Sequence, residues 1–467
     1  MKWRDNMAVK MGIKFFDENI LKDGFPDGFT VLVAGEPGAG KTIFGSTFLY
    51  NGMEQFGEKG VYVSLAETKE DFYEEMKGLG MDFEKYEKAG LFKFIDLVTV
   101  TPPEAVEKEI ELMMSEILTF QPRRIVIDSI SAFAQLLGLE KTRVFLHTTL
   151  GRFIKAFGAV AFLIAEKPPL GKEEIGFGVE EFVVDGVIVL KYSKLGEIVR
   201  RVMEIPKMRK RSVERAEYEY VITSKGIRFL EIPELVRGGT EDASTEKITT
   251  GIEKLDELLD GGGVYRGSIT LFVGMTGTGK TTFGLHFAIA NALQGRKAIY
   301  FGFEEPIGQL IRAARGGYGL PPVDEALQNG LKLEGGWIPE AKSPVYTFLK
   351  VKQMIEDLKP EVVVIDSLTA LREHMDDKEL AKMVRYLSLL IKEHNIAAYI
   401  TLNADTNFET VPFTKASTLA DNIIGLRYAI KDGIIERYLS VIKARSSNHS
   451  RKIHRYEITS EGVVIYE

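Results

Sequence analysis

The feature that most constrains this chain is an internal repeat, in which short motifs recur in the same order at a nearly constant offset. Residues 12–17 (GIKFFD) return at 251–256 (GIEKLD), residues 35–42 (GEPGAGKT) at 274–281 (GMTGTGKT), and residues 125–129 (IVIDS) at 363–367 (VVIDS). Motifs that stay in register over this length predict two copies of one domain.

A polar, glycine-bearing stretch separates the two copies. Residues 234–246 (ELVRGGTEDASTE) show no apolar periodicity, which is typical of a linker. We therefore predict a first domain over residues 1–233 and a second over residues 247–467. The full length of 467 residues is ample for two cores, since a typical domain has about 150 residues.

Runs rich in Val and Ile alternate with helical patterns in each copy. The runs at residues 30–34, 60–64, 125–128 and 160–164 are largely apolar, as expected of parallel strands buried on both faces. Apolar residues at helical spacing precede the strands that end at Asp128 and Asp366. This alternation predicts an α/β fold of two tandem P-loop domains, each with a mostly parallel β-sheet flanked by helices.

The composition excludes several classes of protein. Lys plus Arg number 60 and Asp plus Glu 67, and this net charge of −7 argues against a protein that coats DNA or an anionic membrane by bulk charge. The absence of cysteine excludes disulfides, thiolate catalysis and cysteine-ligated metals. The sequence contains neither a membrane-spanning apolar run nor a signal-peptide core, so we expect a cytoplasmic protein without membrane contact.

Each copy places the pattern G-x-x-x-x-G-K-T between a strand and a helical stretch, which is the context of a phosphate-binding loop. Glycines let backbone N–H groups face the phosphates, and the lysine neutralises the β- and γ-phosphates. The predicted nucleotide-binding residues are Gly35, Gly38, Gly40, Lys41 and Thr42 in the first copy, and Gly274, Gly277, Gly279, Lys280, Thr281 and Thr282 in the second.

Two further sets of oxygen-bearing side chains suit ATP chemistry. The hydroxyls of Thr42 and Thr281, with the strand-end carboxylates of Asp128 and Asp366, are the predicted Mg²⁺ ligands, directly or through water. A carboxylate that orients water is expected after the next strand, where the candidates are Glu67, Glu304 and Glu305. The first copy has Ala66 where the second has Glu304. If Glu304 is the base, the first domain binds ATP but hydrolyses it slowly.

On these motifs the sequence resembles the KaiC-like branch of the RecA superfamily of ATPases, in its two-domain form. The repeated Gly-Ile motif at residues 12 and 251 and a late K-x-R element add to the resemblance. It implies RecA-like folds and a homo-oligomeric double ring, a hexamer, with ATP between subunits. The K-x-R residues Lys207, Arg209, Lys443 and Arg445 resemble those that reach the γ-phosphate of a neighbouring subunit, in the manner of an arginine finger.

A second consequence of the resemblance concerns phosphorylation. Residues 415–424 (KASTLADNII) resemble the KaiC strand with adjacent autophosphorylated Ser and Thr, which makes Ser417 and Thr418 the candidate phosphoacceptors. The corresponding stretch of the first copy, residues 179–185 (VEEFVVD), has no hydroxyl pair.

Three hypotheses follow. The first is a KaiC-like, Mg²⁺-dependent ATPase with Ser/Thr autokinase activity in its second domain, which signals to an unidentified regulatory protein partner. The second is a RecA-like DNA-processing motor or recombinase-related binder, consistent with basic residues near Arg209 and Arg445 but not with the negative net charge. The third is a nucleotide-gated scaffold with negligible turnover.

Overall fold

The computed structural model describes residues 8–65, 67–97, 106–132, 138–166, 184–195, 198–230, 244–316, 319–336, 344–372, 377–404, 419–460 and 462–467. The chain divides into two compact units, with the main division after residue 231.

The first unit contains a nine-stranded sheet in the order β3-β2-β4-β5-β1-β6-β7-β8-β9. Its strands are β1 (Thr30–Gly35), β2 (Gly60–Ser64), β3 (Phe92–Asp96), β4 (Arg124–Asp128), β5 (Val160–Glu166), β6 (Gly186–Leu195), β7 (Ile198–Met208), β8 (Glu217–Thr223) and β9 (Gly226–Phe229). From β3 to β6 along this order neighbouring strands pair in parallel, whereas β7, β8 and β9 pair in antiparallel fashion.

Helices connect the parallel strands of this unit. They are Lys41–Phe56, Lys69–Gly78, Phe83–Lys88, Val106–Phe120, Leu139–Val144 and Gly151–Phe157, with π-helical turns at Phe16–Ile20 and Phe145–Leu150. All six residues of β1 are buried, since β1 lies between β5 and β6 and carries packed residues on both faces. The loop that follows β1 is thus attached to the centre of the sheet.

The second unit repeats this arrangement, in the order β14-β13-β15-β16-β12-β17-β18-β19-β20. Its strands are β10 (Lys247–Ile248), β11 (Val264–Tyr265), β12 (Ile269–Gly274), β13 (Ala298–Gly302), β14 (Leu331–Gly335), β15 (Val362–Asp366), β16 (Ala397–Asn403), β17 (Asn422–Lys431), β18 (Ile434–Ala444), β19 (Ile453–Thr459) and β20 (Gly462–Ile465). Strands β10 and β11 form a separate antiparallel pair.

The helices of the second unit are Glu253–Leu258, Lys280–Leu293, Ile307–Arg315, Val323–Gln328, Pro344–Leu358, Leu368–Arg372 and Asp377–Glu393. No helix in the described part of the chain is both long enough and apolar enough to cross a bilayer.

The predicted fold class is confirmed: each unit has a mostly parallel sheet flanked by helices. The antiparallel strands at one side of each sheet were not predicted from the sequence. In the second unit, β17 and β18 are joined at Asp432-Gly433, whose φ angles of 50° and 77° match the tight turns that favour hairpins. A two-residue turn can only return the chain antiparallel, because a parallel return needs a long crossover.

Candidate functional site

The P-loops lie at the carboxyl ends of the central strands, between β1 and helix Lys41–Phe56 and between β12 and helix Lys280–Leu293. Gly40 and Gly279 precede the helices with φ angles of 89° and 95°, a region that favours glycine. A Cβ on Gly35 would lie 2.3 Å from the carbonyl oxygen of Leu190, so the strand end also requires glycine. The glycines therefore allow a ligand to approach the backbone of both loops closely.

Each P-loop lysine folds back onto its own loop. Lys41 Nζ donates to the carbonyl oxygens of Gly35 and Glu36 at 3.0 and 3.2 Å. Lys280 Nζ donates to those of Gly274 and Met275 at 2.8 and 2.9 Å. Burial lowers the pKa of both lysines, and nearby carboxylates oppose that shift. Both ammonium groups thus lie within the loops where phosphates are expected to bind.

The predicted metal ligands meet in pairs. Thr42 Oγ1 donates to Asp128 Oδ2 at 2.7 Å, and Thr281 Oγ1 donates to Asp366 Oδ2 at the same distance. Burial raises the pKa of Asp128, against the hydrogen bonds that it accepts. The two clefts therefore share one arrangement of hydroxyl, carboxylate and lysine.

In each cleft a tyrosine on the neighbouring strand contacts the aspartate, and this residue was not predicted from the sequence. The hydroxyl of Tyr62 donates to Asp128 Oδ2 at 2.8 Å, and that of Tyr300 donates to Asp366 Oδ2 at 2.6 Å. Both tyrosines occupy the middle of the strand after the P-loop helix, in GVYVS and AIYFG. Their equivalent positions in the two copies of the repeat were the sequence signal from which a shared role could have been predicted.

The carboxylate pair of the second cleft is anchored on one side. Ser367 Oγ donates to Glu304 Oε1 at 2.7 Å, which fixes Glu304 beside Asp366. Burial raises the pKa of Glu305, and Asp366 and Glu304 raise it further. Like charges in one half-buried cleft favour proton uptake, so Glu305 is suited to exchange a proton.

The first cleft holds Glu67 differently. The backbone N–H of Glu67 donates to Ser64 Oγ at 3.0 Å, which closes the turn after β2. Burial, and next the carboxylate of Asp128, raise the pKa of Glu67 to about 7. Ala66, which replaces the first acid of the pair, lies outside the described residues.

The second cleft has a volume of about 390 Å³. Its lining includes most of the predicted site together with residues that were not predicted, among them Asn403 and Arg437. The lining residues are Thr276, Gly277, Gly279, Lys280, Thr281, Thr282, Gly302, Glu304, Glu305, Asp366, Ser367, Asn403, Arg437 and Ile458. In the first domain, the residue that corresponds to Arg437 is Arg201, whose Nε donates to the carbonyl oxygen of Gly38 at 3.3 Å. An arginine therefore reaches each P-loop from the antiparallel strands.

The K-x-R residues lie elsewhere, at the amino ends of the parallel strands. The backbone N–H of Arg209 donates to the carbonyl oxygen of Asp185, and the Asp185 N–H donates to that of Thr30, the first residue of β1. In the second domain, the backbone N–H of Arg445 donates to the carbonyl oxygen of Asp421. The Asp421 N–H donates in turn to the carbonyl oxygen of Ile269, the first residue of β12.

Arg209, Lys443 and Arg445 make hydrogen bonds or ion pairs with residues of their own domain. Arg209 Nη1 lies 3.4 Å from Asp185 Oδ1, and Arg445 Nη1 lies 3.3 Å from Asp421 Oδ1. Lys443 Nζ donates to the carbonyl oxygen of Ala420 at 2.6 Å. Since β1 and β12 have six residues, about 20 Å separates these groups from the P-loop of their own domain. Each domain thus brings together its P-loop, aspartate and glutamate but not its K-x-R residues.

The candidate phosphoacceptors Ser417 and Thr418 lie outside the described residues, as do residues 231–243 of the linker region.

Comparison with known proteins finds relatives that match both domains. The family model described as "ATPase: KaiC" matches residues 9–234 and again residues 248–467. The chain is 32% identical over 467 residues to the circadian clock oscillator protein KaiC of Parathermosynechococcus lividus, covering 97% of this chain and 84% of the relative. It is also 32% identical to the KaiC protein of Synechococcus elongatus, covering 96% and 87%. It is 31% identical to the circadian clock protein KaiC3 of a Synechocystis species, covering 98% and 91%.

Proposed function

The chain belongs to the KaiC family of ATPases, and we propose that it is a Mg²⁺-dependent ATPase whose two clefts are completed by neighbouring copies of the chain. The observation that carries this proposal is the repeated contact of P-loop threonine and strand-end aspartate. It has the same length, 2.7 Å, in both domains, and a P-loop lysine precedes the threonine in each.

The donor set fits magnesium. Thr42 with Asp128, and Thr281 with Asp366, offer a hydroxyl and a carboxylate but no nitrogen or sulfur ligand. Mg²⁺ is a hard cation that prefers oxygen ligands and keeps several bound waters, so two oxygen ligands from the protein are sufficient. Thr42 with Asp128, and Thr281 with Asp366, would hold the Mg²⁺, and the ion would supply positive charge against the phosphate charge that develops during phosphoryl transfer.

For hydrolysis, we assign the positioning of the attacking water in the second cleft to Glu304. Its Oε1 is engaged by Ser367, so Oε2 remains to accept a hydrogen bond from water. Lys280 would stabilise the transferring phosphoryl group from the P-loop side. In the first cleft Glu67 takes this role, with a pKa of about 7 that allows proton uptake near neutral pH.

The K-x-R residues support the proposed assembly. They lie at the edge of the sheet opposite the P-loop of their own domain, so a cation from this element reaches a γ-phosphate only in another copy. A head-to-tail arrangement of copies meets this requirement and closes into a ring when the rotation allows it. Together with the family membership, this favours a hexameric double ring with Lys207, Arg209, Lys443 and Arg445 acting in trans.

Native mass determination with and without ATP tests assembly and binding together. We expect a homo-oligomer with up to two nucleotides per chain, and the Lys41→Ala, Lys280→Ala double variant should carry none. Nucleotide-free wild type after incubation with ATP and Mg²⁺, or an equally loaded double variant, would contradict the proposal.

We further propose autokinase activity in the second domain, on Ser417 or Thr418. A hydroxyl oxygen of this pair would attack the γ-phosphorus of ATP held by a neighbouring copy, Glu304 would accept the proton, and ADP would leave. Incubation with ATP and Mg²⁺ followed by mass spectrometry should detect phosphate on this peptide, and the Glu304→Gln variant should lack it. An unmodified wild-type peptide would contradict this part of the proposal.

We propose a regulatory output through a protein partner. The curated relatives carry the names of circadian clock proteins, and their similarity extends across both domains of this chain. Pull-down experiments with ATP-loaded and ADP-loaded protein should recover a partner protein whose binding differs between the two nucleotide states.

A further inference from the structure

In the second domain, one aspartate joins the start of the P-loop strand to the K-x-R arginine. Asp421 Oδ2 accepts a hydrogen bond from the backbone N–H of Ile269, the first residue of β12, at 3.0 Å. Asp421 Oδ1 accepts one from Arg445 Nη1 at 3.3 Å, and Lys392 Nζ lies 3.5 Å from the same oxygen. The two oxygens of one carboxylate thus connect the central strand of the sheet to two cations at its amino edge.

The first domain repeats this arrangement. Asp185 Oδ2 accepts the N–H of Thr30, the first residue of β1, at 3.3 Å. Asp185 Oδ1 lies 3.4 Å from Arg209 Nη1 and 3.9 Å from Lys155 Nζ. An isolated ion pair at a surface contributes little to stability, so its recurrence at the same place in both domains indicates a shared role beyond stability.

The aspartates are the buried members of these groups. Their side chains are 11% exposed in Asp185 and 15% in Asp421, whereas those of Arg209 and Arg445 are 53% and 54% exposed. A guanidinium has five N–H donors in a rigid fork, so a contact through Nη1 orients the group and leaves donors for a phosphate. A carboxylate has no donor for phosphate and repels it, so each aspartate is suited to anchor the arginine and not to bind the phosphate.

We propose that Asp185 and Asp421 are positioning residues, which hold Arg209 and Arg445 in the orientation needed at the γ-phosphate of a neighbouring copy. This inference rests on the proposed assembly, in which the K-x-R cations act in trans. Although β12 leads to the P-loop of its own copy, the effect of Asp421 is expected at the cleft of the next copy.

The first test measures single-turnover rates in full-length protein with Lys41→Ala, so that only the second clefts bind ATP. Asp421→Asn keeps an oxygen for the Ile269 N–H but removes the charge that orients Arg445, so the rate should fall about ten- to a hundredfold. In an Arg445→Ala background the same change should cost little more, because the group that it orients is gone. Losses that multiply, or an unchanged rate in Asp421→Asn alone, would overturn the positioning role.

A matched control addresses the loss of an ion pair as such. Asp324→Asn breaks an exposed pair with Arg315 elsewhere in the second domain, and it should leave the rate unchanged. A loss equal to that of Asp421→Asn would show that the effect is not specific to the K-x-R arginine, and the proposal would fail.

Subunit mixing locates the effect. Copies with Lys41→Ala and Asp421→Asn are mixed in equal amounts with copies that carry Lys41→Ala and Lys280→Ala, whose Asp421 is intact. If Asp421→Asn alone costs about tenfold, mixed oligomers should be about fivefold more active than the average of the separate proteins, since roughly a quarter of the interfaces join an intact second-domain P-loop to an intact neighbouring Asp421. No gain in verified mixed oligomers would assign the effect to the cleft of the same copy and overturn the proposal.

A parallel mixture separates this inference from the proposed function. It contains Lys443→Ala and Arg445→Ala in place of Asp421→Asn. If this mixture regains activity and the Asp421→Asn mixture does not, the positioning role fails while the assembly in trans stands. If neither regains activity, the assembly in trans fails, and the positioning role fails with it. Should Asp421→Asn not assemble, Asp185→Asn in a Lys280→Ala background provides the same test in the first domain.

Discussion

Ser367 Oγ lies 2.7 Å from Glu304 Oε1 and donates a hydrogen bond to it, which ties the first acid of the Glu304-Glu305 pair to the residue after Asp366. The first domain has a serine at the corresponding position, Ser129, but alanine where Glu304 would be. The anchored carboxylate is therefore a property of the second cleft alone.

Glu304→Gln should slow the turnover of the second domain by about 100-fold or more, because an amide cannot accept the proton of the attacking water. Glu67→Gln should reduce the total steady-state ATPase activity of the chain by a smaller factor than Glu304→Gln does. The rates are measured in the wild type and in each single variant, with ATP saturating. Equal losses in the two variants would contradict the ranking of the two bases.

The P-loop lysines provide matched variants. Lys280→Ala should abolish nucleotide binding in the second domain and spare the first, and Lys41→Ala should do the reverse, since each ammonium contacts only its own loop in the described structure. Nucleotide content per chain, measured after denaturation, should fall from about two to about one in either variant. Two nucleotides retained in either variant would refute the assignment of the corresponding loop.

The raised pKa of Glu67 predicts a pH dependence for the first domain. Its carboxylate must be deprotonated to act as a base, and burial raises its pKa to about 7. Activity of the Lys280→Ala variant should therefore fall about tenfold per pH unit below pH 7 and level off above it. The Lys280→Ala, Glu67→Gln variant should lose this dependence. A flat profile between pH 5.5 and about 7 would show that Glu67 is not the base.

Subunit mixing tests the trans role of the K-x-R element. All proteins carry Lys41→Ala, so that only the second clefts bind nucleotide. One variant adds Lys280→Ala, which removes the P-loop lysine, and the other adds Lys443→Ala and Arg445→Ala, which removes the cations. Each should be inactive alone. Oligomers mixed in equal amounts should regain activity at roughly a quarter of their interfaces, where an intact second-domain P-loop meets a neighbour with intact Lys443 and Arg445. Failure to recover activity in verified mixed oligomers would argue against action in trans.

Local motifs determined what the sequence could predict about the site. Lys41, Thr42 and Asp128 were found because the P-loop needs those residue types at fixed spacing after a strand, and the structure brings them together. The sheet was predictable in its parallel part, since strands buried on both faces have continuous apolar runs.

Residues that reach the site through tertiary pairing were not predicted. Tyr300 arrives through the pairing of β13 with β15, and Arg437 arrives on an antiparallel strand far along the chain. Asn403 looks like an ordinary strand end until its register with Gly274 is known. In each case the residue type is common, and only the strand order shows that the side chain lies at the site.

The last prediction concerns stability and starts from a buried histidine in the P-loop helix of the second domain. His286 is only 5% exposed, and its ring packs against Gly462, where a Cβ would lie 3.5 Å from Cε1. Thr47 occupies the corresponding place in the first domain, against Gly226. Burial lowers the pKa of His286 to about 4, so the folded domain keeps the ring neutral where the unfolded chain, with a pKa of about 6.5, takes up a proton.

Because the unfolded state binds more protons between these two values, the contribution of His286 to the free energy of unfolding should be constant above about pH 6.5 and fall as the pH drops towards 4. The loss attributable to His286 should reach about 3 kcal/mol near pH 4. Urea unfolding can be followed by far-UV circular dichroism at each pH, in the wild type and in the variant. His286→Thr, which copies the first domain, should remove about this much of the pH dependence between pH 6.5 and 4. An unchanged pH dependence in that variant would mean that other groups control the acid sensitivity of the second domain.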